Sequence, residues 1–190
     1  MTERLPRLTP DALDDAQQVV YDGIAGGDRA KGVQHFPLTA GDGSLNGPFG
    51  IMLHAPQLGN ALQQLGSAIR YGTSLTPRVR EIAILMVARA TGSAFEAWAH
   101  EPIGLAVGLT EAELEAVARG DFTSTDPVEQ ASVDLVACVL DGAALDDATY
   151  ATLASRLGVP PMIEVIALVG YYRTLADLMQ VFDVGVPSDA

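Results

Sequence analysis

The sequence is nearly free of cysteine: the 190 residues contain one, Cys138. A single thiol excludes a disulfide framework within the chain and any CxxC redox or zinc motif. Its position in the apolar run 133–140 is typical of a small buried hydrophobic residue.

Long hydrophobic runs are also missing, since the longest, residues 82–88, is far too short to cross a bilayer. The first ten residues, MTERLPRLTP, contain no apolar segment of the kind found in signal peptides. We therefore expect a soluble cytoplasmic protein without a membrane partner.

Positive charge is scarce as well, with 11 Lys and Arg against 24 Asp and Glu and a net charge of -13. Nucleic acids and anionic membranes are bound by basic surfaces, so neither is an expected partner. The chain is 48% hydrophobic, which favours burial of some apolar surface between subunits.

Several motifs of known chemistry are absent. The sequence contains no P-loop, no GxGxxG, no GxSxG and no HExxH. Glu96, His100 and Glu101 are possible metal ligands, but their spacing is not diagnostic of a metal site. We expect neither a bound cofactor nor a metal.

What is present is a series of helical segments separated by Gly and Pro, which predicts an all-α fold in a single domain over 1–190. Helix starts are predicted at Thr9-Pro10, Thr76-Pro77 and Asp126-Pro127, where a capping residue precedes proline. Capping boxes are predicted at Ser93/Glu96 and Thr110/Glu113. The glycine-rich segment 28–47 lacks periodicity and predicts a long loop of the kind that often carries function.

The segment SAFEAWAHEP, residues 93–102, contains the one Trp and one of three His. Glu96 and His100 are four residues apart and share a helix face, so the carboxylate can orient the imidazole for acid/base chemistry. The alternative is that Glu96 only caps the helix. Glu81 poses a similar choice, because a carboxylate in an apolar helix is either functional or pairs at the surface with Arg78 or another arginine.

Three blocks carry a family resemblance: NGPFGIMLHAPQLG, LTPRVREIAILMVARATGSAFEAWAHEPIGLAVGLTEAEL and ALVGYYRTLADLMQVFDV. They resemble the carboxymuconolactone decarboxylase family, whose fold is shared with the alkylhydroperoxidase AhpD group. The resemblance covers about 46–184, so that 1–45 forms an N-terminal helix and loop extension. It implies an all-helical bundle that assembles into homo-trimers or hexamers.

The resemblance also implies site residues. In the peroxidase branch, a Glu is followed after eleven residues by C-x-x-C-x-x-x-H. Glu81 and His100 match its ends, whereas Ser93 and Glu96 occupy the cysteine positions, which excludes dithiol peroxide reduction by this route. The decarboxylase-like branch resembles E-W-x-x-H, from which this chain departs because Trp98 stands one place further from Glu96.

The resemblance therefore predicts a cofactor-independent lyase of aromatic compound catabolism, acting on a small carboxylated lactone or carbonyl compound. His100 would transfer a proton to the carbon that loses CO2, Glu96 would orient it, and Glu81 would be a second acid/base or orienting group. Candidate substrate-binding residues are Trp98, Ser93, His54 and Arg78. Further candidate cations are Arg70, Arg80 and Arg89, and the loop around His35 is a candidate lid.

Two other functions remain open from the sequence. One is a non-catalytic helical binding or assembly protein with an inherited pocket. The other is residual peroxidase activity through Cys138.

Overall fold

In the computed structural model, which describes residues 4–27, 30–31, 34–142 and 144–187, helices dominate and no strand is formed. The one piece of β-structure in these ranges is an isolated bridge between Thr39 and Leu45. The all-α prediction is confirmed. The helices are α1 (Asp15–Ala25), α2 (Pro48–Met52), α3 (Pro56–Tyr71), α4 (Pro77–Thr91), α5 (Ala94–Ala106), α6 (Glu111–Arg119), α7 (Pro127–Asp141), α8 (Asp147–Leu157) and α9 (Val159–Phe182).

Local capping chemistry determines where most helices begin. The side chains of Thr76 and Asp126 accept backbone N–H groups at the starts of α4 and α7, as the cap-then-proline pattern predicts. Thr110 and Glu113 form the predicted capping box. The prediction at Thr9 is wrong, because only a short 3-10 turn (Pro10–Ala12) forms there and α1 begins later, capped by Asp14.

Helix α4 lies at the centre of the molecule, and every residue from 81 to 88 is buried. It packs against α5, α7 and α9. Helix α9 is long and apolar enough to pass a composition test for a membrane span, but core helices of soluble proteins pass it too. Its buried residues, Leu168 and Val169 among them, belong to the same core as those of α4, which accounts for much of its apolar character.

The described residues between α1 and α2 form no α-helix or strand, in line with the predicted loop, and they lie across one end of α5. Phe36 packs against Phe95 and Trp98, with ring centroids 6.1 and 5.9 Å away. The loop ends at Gly47, whose φ of 60° lies in the left-handed region. A Cβ there would approach the Phe95 ring to 2.2 Å. The loop is thus held against the helices by close packing.

Candidate active site

Glu81 lies on α4 in the middle of the core and has 0% of its surface exposed. The interpretation of Glu81 as a surface partner of Arg78 is wrong. Arg78 projects elsewhere, where it binds Glu113 and Glu129. A fully buried carboxylate needs compensating groups around it, so its neighbours define the site.

His100 supplies the nearest of those groups. Its Nδ1 lies 2.6 Å from Oε2 of Glu81, a short contact between two buried side chains. Its other ring nitrogen, Nε2, lies 3.4 Å from Oε2 of Glu96 one helical turn earlier on α5. The imidazole therefore stands between two buried carboxylates, and its protonated form can donate to both.

Glu96 does not complete the capping box predicted for it. Ser93 accepts the backbone N–H of Glu96 at 3.4 Å, but no reciprocal bond from the Glu96 side chain is made. The carboxylate is instead buried beside His100, with only 2% of the residue exposed. This placement favours the reading in which Glu96 and His100 act together.

Two arginines complete the electrostatic environment of Glu81. Nε of Arg80 lies 3.9 Å from Oε1 of Glu81, too far for a hydrogen bond, and Arg70 approaches from α3. Burial by itself raises the pKa of Glu81, but His100, Arg70 and Arg80 outweigh it and hold that pKa below its usual value. Glu81 is therefore ionised at neutral pH.

A cavity of about 260 Å³ opens beside these groups. Arg70, Arg80 and Glu81 form part of its wall, and the loop before α2 contributes the His35 and Phe36 side chains. The remaining lining residues are Lys31, Gln34, Leu38, Tyr71, Ile103 and Val107. At roughly 30 Å³ per water molecule, this outer cavity holds a small organic molecule.

A second, inner pocket of about 20 Å³ lies on the other side of His100. His100 and Glu96 line it, as does Tyr172, whose ring meets the imidazole edge to face at 5.3 Å. Phe36 and Arg70 line both the inner pocket and the outer cavity. The inner pocket is about the size of one water molecule, so a substrate would occupy the outer cavity.

The four predicted substrate-binding residues do not line the outer cavity. Trp98 packs against Phe95 and supports the loop. His54 is exposed and contacts the carbonyl oxygen of Pro6. Ser93 lines a separate apolar pocket.

Arg78 is likewise remote from the outer cavity and is occupied by two carboxylates and the Gly108 carbonyl oxygen. The arginines at the site are instead Arg70 and Arg80. Both were named among the sequence candidates, but no local pattern distinguished them from Arg78 or Arg89. Tyr172 was missed, and its only sequence signal was its place in the block ALVGYYRTLADLMQVFDV.

Among the described residues, the site has neither a cluster of metal ligands nor a thiol. Within the part of the chain that the structure describes, no group of three or more His, Cys, Asp and Glu is arranged to hold a metal ion. Cys138 is half-buried on α7 and lines neither the outer cavity nor the inner pocket. The chemistry available is that of the buried Glu81–His100–Glu96 set and the two arginines.

Comparison with known proteins agrees with this architecture. Residues 56–137 match the carboxymuconolactone decarboxylase family, and no curated protein sequence matches the chain. An AhpD-core, uncharacterised peroxidase-related protein from Ralstonia eutropha JMP134 has a similar fold, with a TM-score of 0.74, 16% identity, and coverage of 98% of this chain and 93% of that one.

The debrominase Bmp8 is also similar in fold. A Bmp8 variant bound to 2,3,4-tribromopyrrole gives a TM-score of 0.70 at 16% identity, covering 99% of this chain and 94% of that one. Apo Bmp8 gives 0.70 at 18% identity, with coverage of 96% and 91%. At these identities the similarity shows the fold alone. The similarity covers nearly the whole chain, including its N-terminal part.

Proposed function

The chain is a member of the carboxymuconolactone decarboxylase family, and from that premise we propose that it is an acid/base enzyme that acts on a small carboxylated lactone or carbonyl compound without a cofactor. The observation that carries the proposal is the buried Glu81–His100–Glu96 set beside a cavity with two arginines. The solved structures of similar fold are named as a debrominase and as a peroxidase-related protein, so the fold by itself does not determine the reaction.

The roles that we propose for Glu81 and His100 differ from those inferred from the sequence. Glu81 lines the outer cavity, whereas His100 lines the inner pocket and not the outer cavity. We therefore assign to Glu81 the exchange of a proton with the substrate. His100, hydrogen-bonded to Glu81 through Nδ1, supplies or takes up that proton, and Glu96 stabilises the imidazolium from the Nε2 side.

For a decarboxylation, the bond between the substrate carbon and its carboxylate breaks, and the electron pair moves into an adjacent carbonyl group as an enolate. A proton from the Glu81–His100 pair then forms the new C–H bond as CO2 leaves. Arg70 and Arg80 would hold the anionic groups of the substrate and stabilise the enolate. This sequence requires neither a thiol nor a metal.

The test is a turnover screen with lactones and β-keto acids, followed by variants of any active pairing. We expect Glu81→Gln and His100→Ala to lower kcat/KM by two or more orders of magnitude, with Glu96→Gln less severe because its contact is longer. Cys138→Ser is the matched control and should leave the rate unchanged. Near-wild-type rates in folded Glu81→Gln and His100→Ala would overturn the assignment, and a rate lost in Cys138→Ser would favour thiol chemistry.

A further inference from the structure

The outer cavity concentrates positive charge in a strongly acidic chain. Three of its 11 Lys and Arg residues, including the only lysine, line this one cavity. Among the described residues that line it, the single carboxylate is that of Glu81, which already contacts His100. Since a cavity wall with more positive than negative charge attracts anions, the cavity is suited to an anionic occupant.

Neither arginine has a hydrogen-bonded carboxylate among the described residues, although Arg70 interacts with Tyr172. Among the described residues, no carboxylate lies within ion-pair distance of Arg70, and that of Arg80 is Glu81 at 3.9 Å. Nε of Arg80 is buried and has no hydrogen-bond partner in the described part of the chain. A guanidinium with an unused donor is suited to bind a carboxylate.

Glu81 has the complementary feature. Its Oε2 accepts from His100, but its Oε1 is also buried without a hydrogen-bond partner among the described residues. A buried polar group that is left without a hydrogen bond destabilises the protein. An unused acceptor therefore lies 3.9 Å from an unused donor, and both belong to residues of one cavity wall.

That pair indicates what the occupant must carry. The Nε donor requires an acceptor on the ligand, and the ionised Oε1 requires a ligand hydrogen. Two atoms 3.9 Å apart can both be reached by neighbouring oxygens at ordinary hydrogen-bond lengths of about 2.8 Å. A simple carboxylate satisfies the arginine but presents only acceptors to Glu81, so a hydroxyl beside it is needed.

We propose that the outer cavity binds a 2-hydroxycarboxylate, or the enol form of a 2-oxo acid, with its carboxylate on Arg70 and Arg80 and its hydroxyl donating to Oε1 of Glu81. This rests on the proposed function in that it specifies the ligand class of the same site: the enol of a 2-oxo acid is what remains when a 2-oxo acid loses a second carboxylate from the carbon next to its carbonyl group, and a 2-hydroxycarboxylate resembles that enol. The apolar lining residues, such as Ile103 and Val107, accommodate a hydrocarbon or aromatic substituent. Both polar atoms are buried, so a ligand that contacts them must displace neighbouring side chains.

Binding of three probes to the full chain tests this without requiring turnover. Mandelate carries the hydroxyl, phenylacetate lacks it, and O-methylmandelate blocks its hydrogen. By isothermal titration calorimetry at pH 7, we expect mandelate to bind at least about tenfold more tightly than either analogue, equivalent to about 1.4 kcal/mol. Equal dissociation constants for the three acids would overturn the hydroxyl contact, with no variant needed.

Variants then test the two proposed contacts, that of the carboxylate with the arginines and that of the hydroxyl with Glu81. Arg80→Gln and Arg70→Gln should weaken all three acids by about tenfold or more, whereas Arg173→Gln, an exposed site on α9, should not. In Glu81→Gln the preference for mandelate should fall below about threefold. Unchanged binding in both cavity arginine variants would overturn the carboxylate contact.

These results are separable from the proposed function. Turnover that survives in Glu81→Gln would refute the catalytic role while the probe affinities still decide the ligand class. Conversely, turnover that depends on Glu81 together with equal probe affinities would refute only the 2-hydroxycarboxylate inference.

Discussion

Replacement of Glu81 by Gln should destabilise the protein strongly even in the absence of substrate. The substitution conserves shape but removes the charge that receives His100 Nδ1 at 2.6 Å. A hydrogen bond to a charged group contributes about 1.5–3 kcal/mol. The half-buried Arg70 and Arg80 would also lose the nearby charge of Glu81, and breaking a buried ion pair from one side, here that of Glu81 with His100, costs about 3–5 kcal/mol.

We therefore expect Glu81→Gln to lower the free energy of unfolding by about 3–5 kcal/mol and the melting temperature by roughly 10 °C. Urea titration followed by circular dichroism at pH 7 measures the first quantity, provided that the m-value is unchanged. Glu96→Gln should cost less, because its contact with His100 is 3.4 Å long. Glu101→Gln, exposed on α5, is the control and should stay within about 0.5 kcal/mol of wild type.

The destabilisation should also depend on pH. The pKa of Glu81 is lowered by His100 and the arginines against the opposing effect of burial, from an ordinary value of 4.5. Its contribution to stability is thus fully present above about pH 4.5 and is lost as the pH falls through the lowered pKa of the folded state. The difference between wild type and Glu81→Gln should shrink in acid. A variant as stable as wild type at pH 7 would refute the view that this carboxylate neutralises buried cations.

Three further variants probe packing and charge elsewhere. Gly47→Ala should lower the free energy of unfolding, measured by urea titration, by more than about 2 kcal/mol, because φ is positive and the new Cβ would lie 2.2 Å from the Phe95 ring. Gly41→Ala is the control and should be neutral, since a Cβ there meets no atom within 4 Å. Equal stability of the two variants would contradict this. Glu113→Gln should lower the free energy of unfolding by up to about 1 kcal/mol above pH 4.5. This difference from wild type should shrink as the pH falls toward 2, because the arginine partner lowers the pKa of Glu113 to about 2. An undiminished difference at pH 2 would argue against the ion pair. Phe36→Ala should shift the fluorescence of Trp98, its ring neighbour at 5.9 Å, to longer wavelength, and an unchanged spectrum would contradict the packing of the loop on α5.

The parts of the fold that follow from short-range chemistry were predictable. A capping residue followed by proline marked the start of α4 and of α7. The failure at Thr9 has a local cause, since α1 acquires its own capping box at Asp14 and the preceding proline starts only one 3-10 turn.

The site was predictable only where its members share a helix. Glu96 and His100 are one turn apart, so their pairing is visible in the spacing. The shorter contact, from His100 to Glu81, joins two helices and was suggested only by the family resemblance. Arg78 and Arg80 are two residues apart on α4 and therefore point in different directions, so only tertiary packing shows that Arg80 faces the cavity.

The single lysine of the chain makes the outer cavity chemically addressable. Lys31 is exposed and lines that cavity, so an amine-reactive reagent has one lysine side chain to modify. A fluorophore or crosslinker attached at this position would report on the cavity mouth without removal of competing lysines. The same side chain offers a covalent tether through which weakly bound small molecules could be held beside Arg80 and Glu81.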